Sequence, residues 1–177
     1  VKHITLLSAV ALLATSTAIP SYAQDYYSPN QGYDSDLISL GAGFYDIGGD
    51  DSAGDFRLEY RWGSPFFWEI KPWAGGELTS DGSIWAGGGV LADFDVADHL
   101  VITPSFGIGL YNQGSSDLDL DYPIEFRSQI EAGYRFDNDN RIGIQFGHIS
   151  NASLGDDNPG VEILGLYWHI PTNQVFH

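Results

Sequence analysis

From residue 36 onward the side chains alternate between apolar and polar with a period of two, and segment after segment the apolar ones fall on even numbers. One segment sets Leu100, Ile102, Pro104, Phe106, Ile108 and Leu110 against His99, Val101, Thr103, Ser105, Gly107, Gly109 and Tyr111. The next sets Ile124, Phe126, Ser128, Ile130, Ala132, Tyr134 and Phe136 against Glu125, Arg127, Gln129, Glu131, Gly133 and Arg135. The pattern predicts eight strands, at about 36–46, 54–62, 68–79, 83–95, 99–112, 123–136, 140–150 and 161–170. Their lengths suit strands that cross a bilayer at a tilt.

A soluble sandwich buries such an apolar face and wets the polar one, whereas a small membrane barrel does the reverse; period alone does not separate them. Three features favour the barrel. First, the basic residues beyond position 23 (Arg57, Arg61, Lys71, Arg127, Arg135 and Arg141) all lie on the odd face, with Glu59, Glu69, Glu77, Glu125 and Glu131. Glycines at 87, 89, 107 and 109 share that face, as a narrow interior filled by a few long side chains requires. Second, aromatics gather at segment ends (Trp62, Phe66, Phe67, Trp68, Trp73, Tyr134, Phe136 and Trp168), where membrane girdles lie. Third, an even number of antiparallel strands can close and leave no edge. The fold expected is an all-β, eight-stranded antiparallel outer-membrane β-barrel.

Connections of alternating length set its orientation. Short turns near 63–67, 96–98 and 137–139 are expected on the periplasmic side, with longer loops at 47–53, 113–122 and 151–160 outside; only 80–82 is short for its side. At the amino end, Lys2 and His3 precede an apolar run from Ile4 to Ala14 that is too short to span a bilayer, and Ser21-Tyr22-Ala23 offers a cleavage site. Residues 1–23 therefore read as a signal peptide, and residues 24–177 as one barrel domain.

Composition narrows the function. A formal charge of −17 argues against a nucleic-acid partner, and without cysteine neither a disulfide framework nor a thiolate metal site can form. The acidic clusters at 34–36, 50–51, 117–121 and 137–139 read as turn and loop residues. The glycine-rich stretches lack the strand-to-helix context of a phosphate cradle. His99 and His169 fall on the odd face, and Arg127 and Glu131, four apart there, are expected to pair inside the barrel.

Three residues break the pattern. The lipid face of the seventh segment runs Ile142, Ile144, Phe146 and then His148 and Ser150, while that of the eighth begins at Glu162. An ionisable group facing lipid costs about 2–4 kcal/mol for a midplane Arg or Lys, falling to about 0–1 near the interface, and invites a functional explanation. Residues 148 and 150 lie about 7 Å apart on one face of a strand, and Glu162 opens its neighbour about 5 Å away. A hydroxyl, an imidazole and a carboxylate thus meet on one exterior patch at the outer end: a nucleophile, a base and an orienter.

His148-Ile149-Ser150-Asn151-Ala152, followed by Asn158-Pro159-Gly160-Val161-Glu162, resembles the signature of the lipid A 3-O-deacylase family, PagL. The resemblance implies an external triad with Ser150 as nucleophile, His148 as base and Glu162 as orienter, and no metal or cofactor. It also implies an oxyanion hole, for which Asn151, Asn158 and the backbone N–H of Ser153 are the matching candidates; the family pattern carries glycine at position 153, where this chain has serine. The function implied is removal of an ester-linked acyl chain, at the 3-O position, from lipid A in the outer leaflet of a Gram-negative outer membrane. Two alternatives remain open at this point: a non-catalytic barrel with a structural or adhesion role, and an outer-membrane phospholipase or esterase. The lipid-facing wall also leaves room for a homodimer.

Overall fold

The computed structural model describes residues 34–176, so the expected signal peptide lies outside the described residues. The period-two segments form β1 (Leu37–Tyr45), β2 (Ala53–Arg61), β3 (Ile70–Thr79), β4 (Ile84–Ala92, continued after Asp93 by Phe94–Ala97), β5 (Leu100–Asn112), β6 (Ile124–Arg135), β7 (Arg141–Ser150) and β8 (Val161–Pro171). Each strand pairs antiparallel with its chain neighbours. Pairing of β1 with β8 closes the sheet into an eight-stranded barrel. A short helix, Thr172–Val175, follows β8.

The division of faces is that of a membrane barrel. Leu110 and Leu166 on the even face are 66% and 64% exposed, whereas Arg127 and Glu59 on the odd face are 1% and 2% exposed. Apolar side chains therefore cover the outside, and the charges fill the inside.

The interior charges are cross-linked. Arg127 pairs with Glu59, Arg61 reaches Glu59 at 3.1 Å and Glu131 at 3.0 Å, and Arg57 reaches Asp55 at 2.8 Å and Glu77 at 3.0 Å. Tyr167 donates to Glu59 at 2.7 Å, and His169 lies 2.7 Å from both Glu131 and Ser39. Arg127 and Glu131 do not pair as expected. Four residues along a strand separate them by about 13 Å, so each finds a partner across the lumen instead.

Trp73, expected in an aromatic girdle, is 2% exposed and points inward. It occupies an odd position and lies under the Arg127 guanidinium, 4.3 Å from the ring centroid, with Trp85 at 4.9 Å. The two indoles explain the interior glycines: a Cβ at Gly107 would fall 2.5 Å from Trp73, and one at Gly109 would fall 2.4 Å from Trp85. The other aromatics of the expected girdles lie outside, with Phe67 69% and Trp168 52% exposed.

Two boundaries shift for local reasons. β3 starts at Ile70 rather than 68, because Trp68 takes φ +50° in a turn closed by the Phe67–Ile70 bridge. β4 breaks at Asp93, where its register with β5 brings Ala92 level with Pro104, a residue without an N–H to donate. The Asp93 carboxylate turns inward to Lys71 and Arg141, at 3.1 and 3.0 Å. Acidic residues serve turns: Asp121 and Asp139, as expected, and Asp46, expected at the end of the first strand, adopt φ of +66°, +63° and +54°, a region that aspartate tolerates better than most residues.

Candidate active site

β7 and β8 run side by side, with His148 directly opposite Glu162 and Phe146 opposite Leu164. All four belong to the outward face, because the strand pleat sends alternate side chains to opposite sides. At the end of the barrel away from the paired Leu37 and Pro171, this face changes from aliphatic to polar within one residue pair. His148 Nδ1 lies 3.3 Å from Glu162 Oε1, and both side chains are a little under half exposed. Ser150, partly buried, lies two residues beyond His148 on the same face and opposite Phe126 of β6.

The half of the site joining imidazole to carboxylate is thus assembled. Among the described residues no hydrogen bond links Ser150 Oγ to the imidazole. Catalytic hydrogen bonds commonly tighten only when substrate is present. With Nδ1 directed at Glu162, a neutral imidazole carrying its proton there leaves Nε2 as the basic nitrogen. Glu162 is also held through its main chain, whose carbonyl accepts the Ile47 N–H at 3.0 Å.

One member of this patch was not singled out from the sequence. Ser128 of β6 is the residue opposite His148, so Ser128, His148 and Glu162 form one row across three strands. Tyr60, Tyr134 and Trp168 apart, and Asn112 at a strand end, these residues and Ser150 are the polar side chains on the outer face of the strands. The signal was present in the sixth segment, where Ser128 interrupts an otherwise apolar even face.

The loop 151–160 gives the three candidate oxyanion donors different surroundings. Asn151 is fully buried, and its Nδ2 donates to Leu120 O at 3.0 Å and Asp157 O at 2.8 Å. Its Oδ1 accepts the Ser153 N–H at 2.8 Å, so both Asn151 and the Ser153 amide are engaged in building the loop. Asp121 adds a second tie by accepting the Asp157 N–H at 2.9 Å. Asn158 is exposed, and among the described residues no hydrogen bond occupies its side-chain amide. Ala152 and Ser153 adopt φ of +54° and +64°, the left-handed region that favours glycine. That geometry explains why glycine suits position 153.

The patch lies on the outer wall of the barrel. An apolar concavity of about 880 Å³ bordered by Phe56, Leu58, Leu78 and Ile84 lies on β2 to β4, and no member of the His148–Ser150–Glu162 group lines it.

The sequence profile of a family described as Lipid A 3-O-deacylase (PagL) matches residues 54–171. Two curated relatives, each named Lipid A deacylase PagL, are similar. The one from Pseudomonas aeruginosa is 32% identical over 124 residues, covering 70% of this chain and 58% of the relative. The one from Bordetella bronchiseptica is 27% identical over 96 residues, covering 53% of each. The chain therefore spans between half and three-fifths of the length of the curated relatives it matches. Among solved structures, that of the outer membrane enzyme PagL superposes with a TM-score of 0.58 at 22% identity, covering 76% of this chain and 99% of that one. Neisserial surface protein A superposes with a TM-score of 0.62 at 10% identity, covering 80% and 99%. At these identities the two structures speak for the fold.

Proposed function

The chain belongs to the lipid A 3-O-deacylase (PagL) family, and from that premise we propose that it is an outer-membrane serine esterase that removes the 3-O-linked acyl chain of lipid A. The observation carrying the proposal is the placement of His148 and Glu162 in register on a lipid-facing wall, with Ser150 on the same face. In this reading the end bearing Ser150 faces outward, at the level of the outer leaflet, after residues 1–23 have been removed as a signal peptide.

The chemistry follows from these groups. Ser150 Oγ attacks the ester carbonyl and passes its proton to His148 Nε2, while Glu162 holds Nδ1–H and stabilises the imidazolium. Collapse of the tetrahedral intermediate expels the sugar oxygen, which takes the proton back from His148. An acyl group is left on Ser150. Water, activated by the same imidazole, then releases the fatty acid.

The acyl chain would lie along the exposed apolar wall below the triad, across Phe126, Phe146 and Leu164. A bound oxyanion needs donors not already engaged, so the Asn158 amide is the donor we assign. Asn151 would support the hole by fixing the loop, and the Ser153 N–H could contribute only on leaving Asn151. Preorganised donors of this kind contribute about 2.7–4 kcal/mol each.

The test is covalent labelling. A lipophilic fluorophosphonate should modify Ser150 in the refolded barrel, as read by peptide mass spectrometry, and His148→Asn should slow the labelling by orders of magnitude. Labelling that proceeds at the same rate in His148→Asn contradicts the proposal.

A further inference from the structure

Gly160 ends the loop between β7 and β8. The ladder pairs His148 with Glu162 and Ile149 with Val161, so one more step in the same register sets Gly160 beside Ser150. The two residues continue the row that lies just outward of His148 and Glu162.

The imidazole of His148 does not stay in its own row. A Cβ built on Gly160 would fall 2.4 Å from His148 Cε1, 2.9 Å from Nε2 and 3.4 Å from Nδ1. Real Cβ atoms essentially never come within 3.0 Å of a heavy atom, so the ring occupies the volume that any side chain at position 160 would claim. It leans outward over Gly160, toward the row that holds Ser150, and presents its Cε1–Nε2 edge there. Nδ1 stays 3.3 Å from Glu162. A ring serving both Glu162 and Ser150 must bridge two rows about 7 Å apart, and the lean over Gly160 carries its free edge toward the second of them.

We propose that Gly160 is a positioning residue of the esterase site, and that its missing side chain opens the volume through which His148 Nε2 reaches Ser150. The proposal rests on the serine esterase reading given above. Gly160 touches neither substrate nor reacting atoms; it acts through the imidazole. φ at Gly160 lies outside the left-handed region, so the requirement is for space rather than for backbone freedom. A methyl group at 160 meets a half-exposed, rotatable side chain, and the imidazole yields before the barrel does. It swings off Gly160, and Nε2 loses its approach to Ser150.

The experiment compares wild type, Gly160→Ala, His148→Ala, the double variant and Ser150→Ala, each refolded in detergent and assayed on lipid A and on a soluble acyl ester. Wild-type turnover that vanishes in Ser150→Ala tests the esterase reading by itself. Given that turnover, Gly160→Ala should keep the heat-modifiable folded band and lower kcat about 100-fold, the cost of misplacing a catalytic group by about 1 Å, with KM within about twofold of wild type. In the His148→Ala background the same substitution should cost no further activity, because its effect passes through the imidazole. Gly160→Ala that retains more than half of wild-type kcat overturns the proposal, and so does an equal loss with and without His148. If Gly160→Ala refolds poorly, the double variant decides. Recovery of folding once the imidazole is gone supports the steric account, and persistent misfolding overturns it.

Discussion

Glu162 stands directly opposite His148 across the β7–β8 ladder, with its Oε1 3.3 Å from the imidazole Nδ1, on the face where Leu164, Leu166 and Trp168 of the same strand turn outward. A carboxylate so placed faces lipid at a cost that an aliphatic residue would avoid. The proposed reaction accounts for its position: there Glu162 would fix the tautomer that leaves Nε2 basic and balance the charge that appears on His148 when Ser150 attacks.

The three members of the site should therefore lose activity unequally. Ser150→Ala and His148→Asn remove the proposed nucleophile and the proposed base, and each should lower hydrolysis by several orders of magnitude in a barrel that still migrates as folded. Glu162→Ala leaves both in place and should lower it by a factor of about 10 to 100 less than either. Initial rates on a soluble acyl ester in detergent measure all three. Equal losses would assign Glu162 a larger part than orientation.

Asn151 and Asn158 should separate by their phenotypes. Asn151 ties Leu120, Asp157 and Ser153 together. Asn151→Ala leaves the buried Leu120 carbonyl without its donor and should cost about 1–3 kcal/mol, seen as faster proteolysis within 151–160. Asn158→Ala should leave that proteolysis unchanged and lower kcat about 10²- to 10³-fold.

Ser153→Gly should stabilise the loop. Ser153 holds φ +64°, a conformation that costs an L-residue roughly 1–2 kcal/mol and glycine almost nothing. Slower proteolysis of the loop, with activity at least equal to wild type, is the expected outcome; a faster cut would show that the serine side chain contributes more than its backbone costs.

The interior network should support the barrel and not the reaction. Arg127 pairs with Glu59 and lies over the Trp73 and Trp85 rings. Arg127→Ala leaves Glu59 with less compensation in a buried site and should cost about 3–5 kcal/mol, lowering the temperature at which the heat-modifiable band is lost. The protein that remains folded should keep its wild-type kcat. A fall in kcat of the folded fraction would connect the lumen to the outer wall.

Much of this was legible in the linear pattern, because a barrel strand writes its two environments on alternate residues. The even-numbered row from Leu100 to Leu110 marked the lipid face, and the interruption of that face on later strands at His148, Ser150 and Glu162 marked the candidate site. What stayed hidden depends on contacts across the barrel. The partner of Arg127 is Glu59, 68 residues away, because strand tilt and stagger decide which side chains meet in the lumen. Trp73 looked like a girdle residue until its odd position was set beside Arg127. Ser128 was visible as a polar residue on an apolar face but gained meaning only from its pairing with His148. The engagement of Asn151 within the loop, and the lean of the imidazole over Gly160, follow from loop geometry that no periodicity encodes.

The central claim is tested most directly by mass spectrometry of lipid A incubated with the refolded barrel, wild type beside Ser150→Ala. The account predicts that lipid A loses the mass of one 3-O-linked acyl chain with the wild type and none with Ser150→Ala, while phospholipid in the same mixture stays intact. No mass change with a folded wild-type barrel, or the same loss in Ser150→Ala, would contradict it.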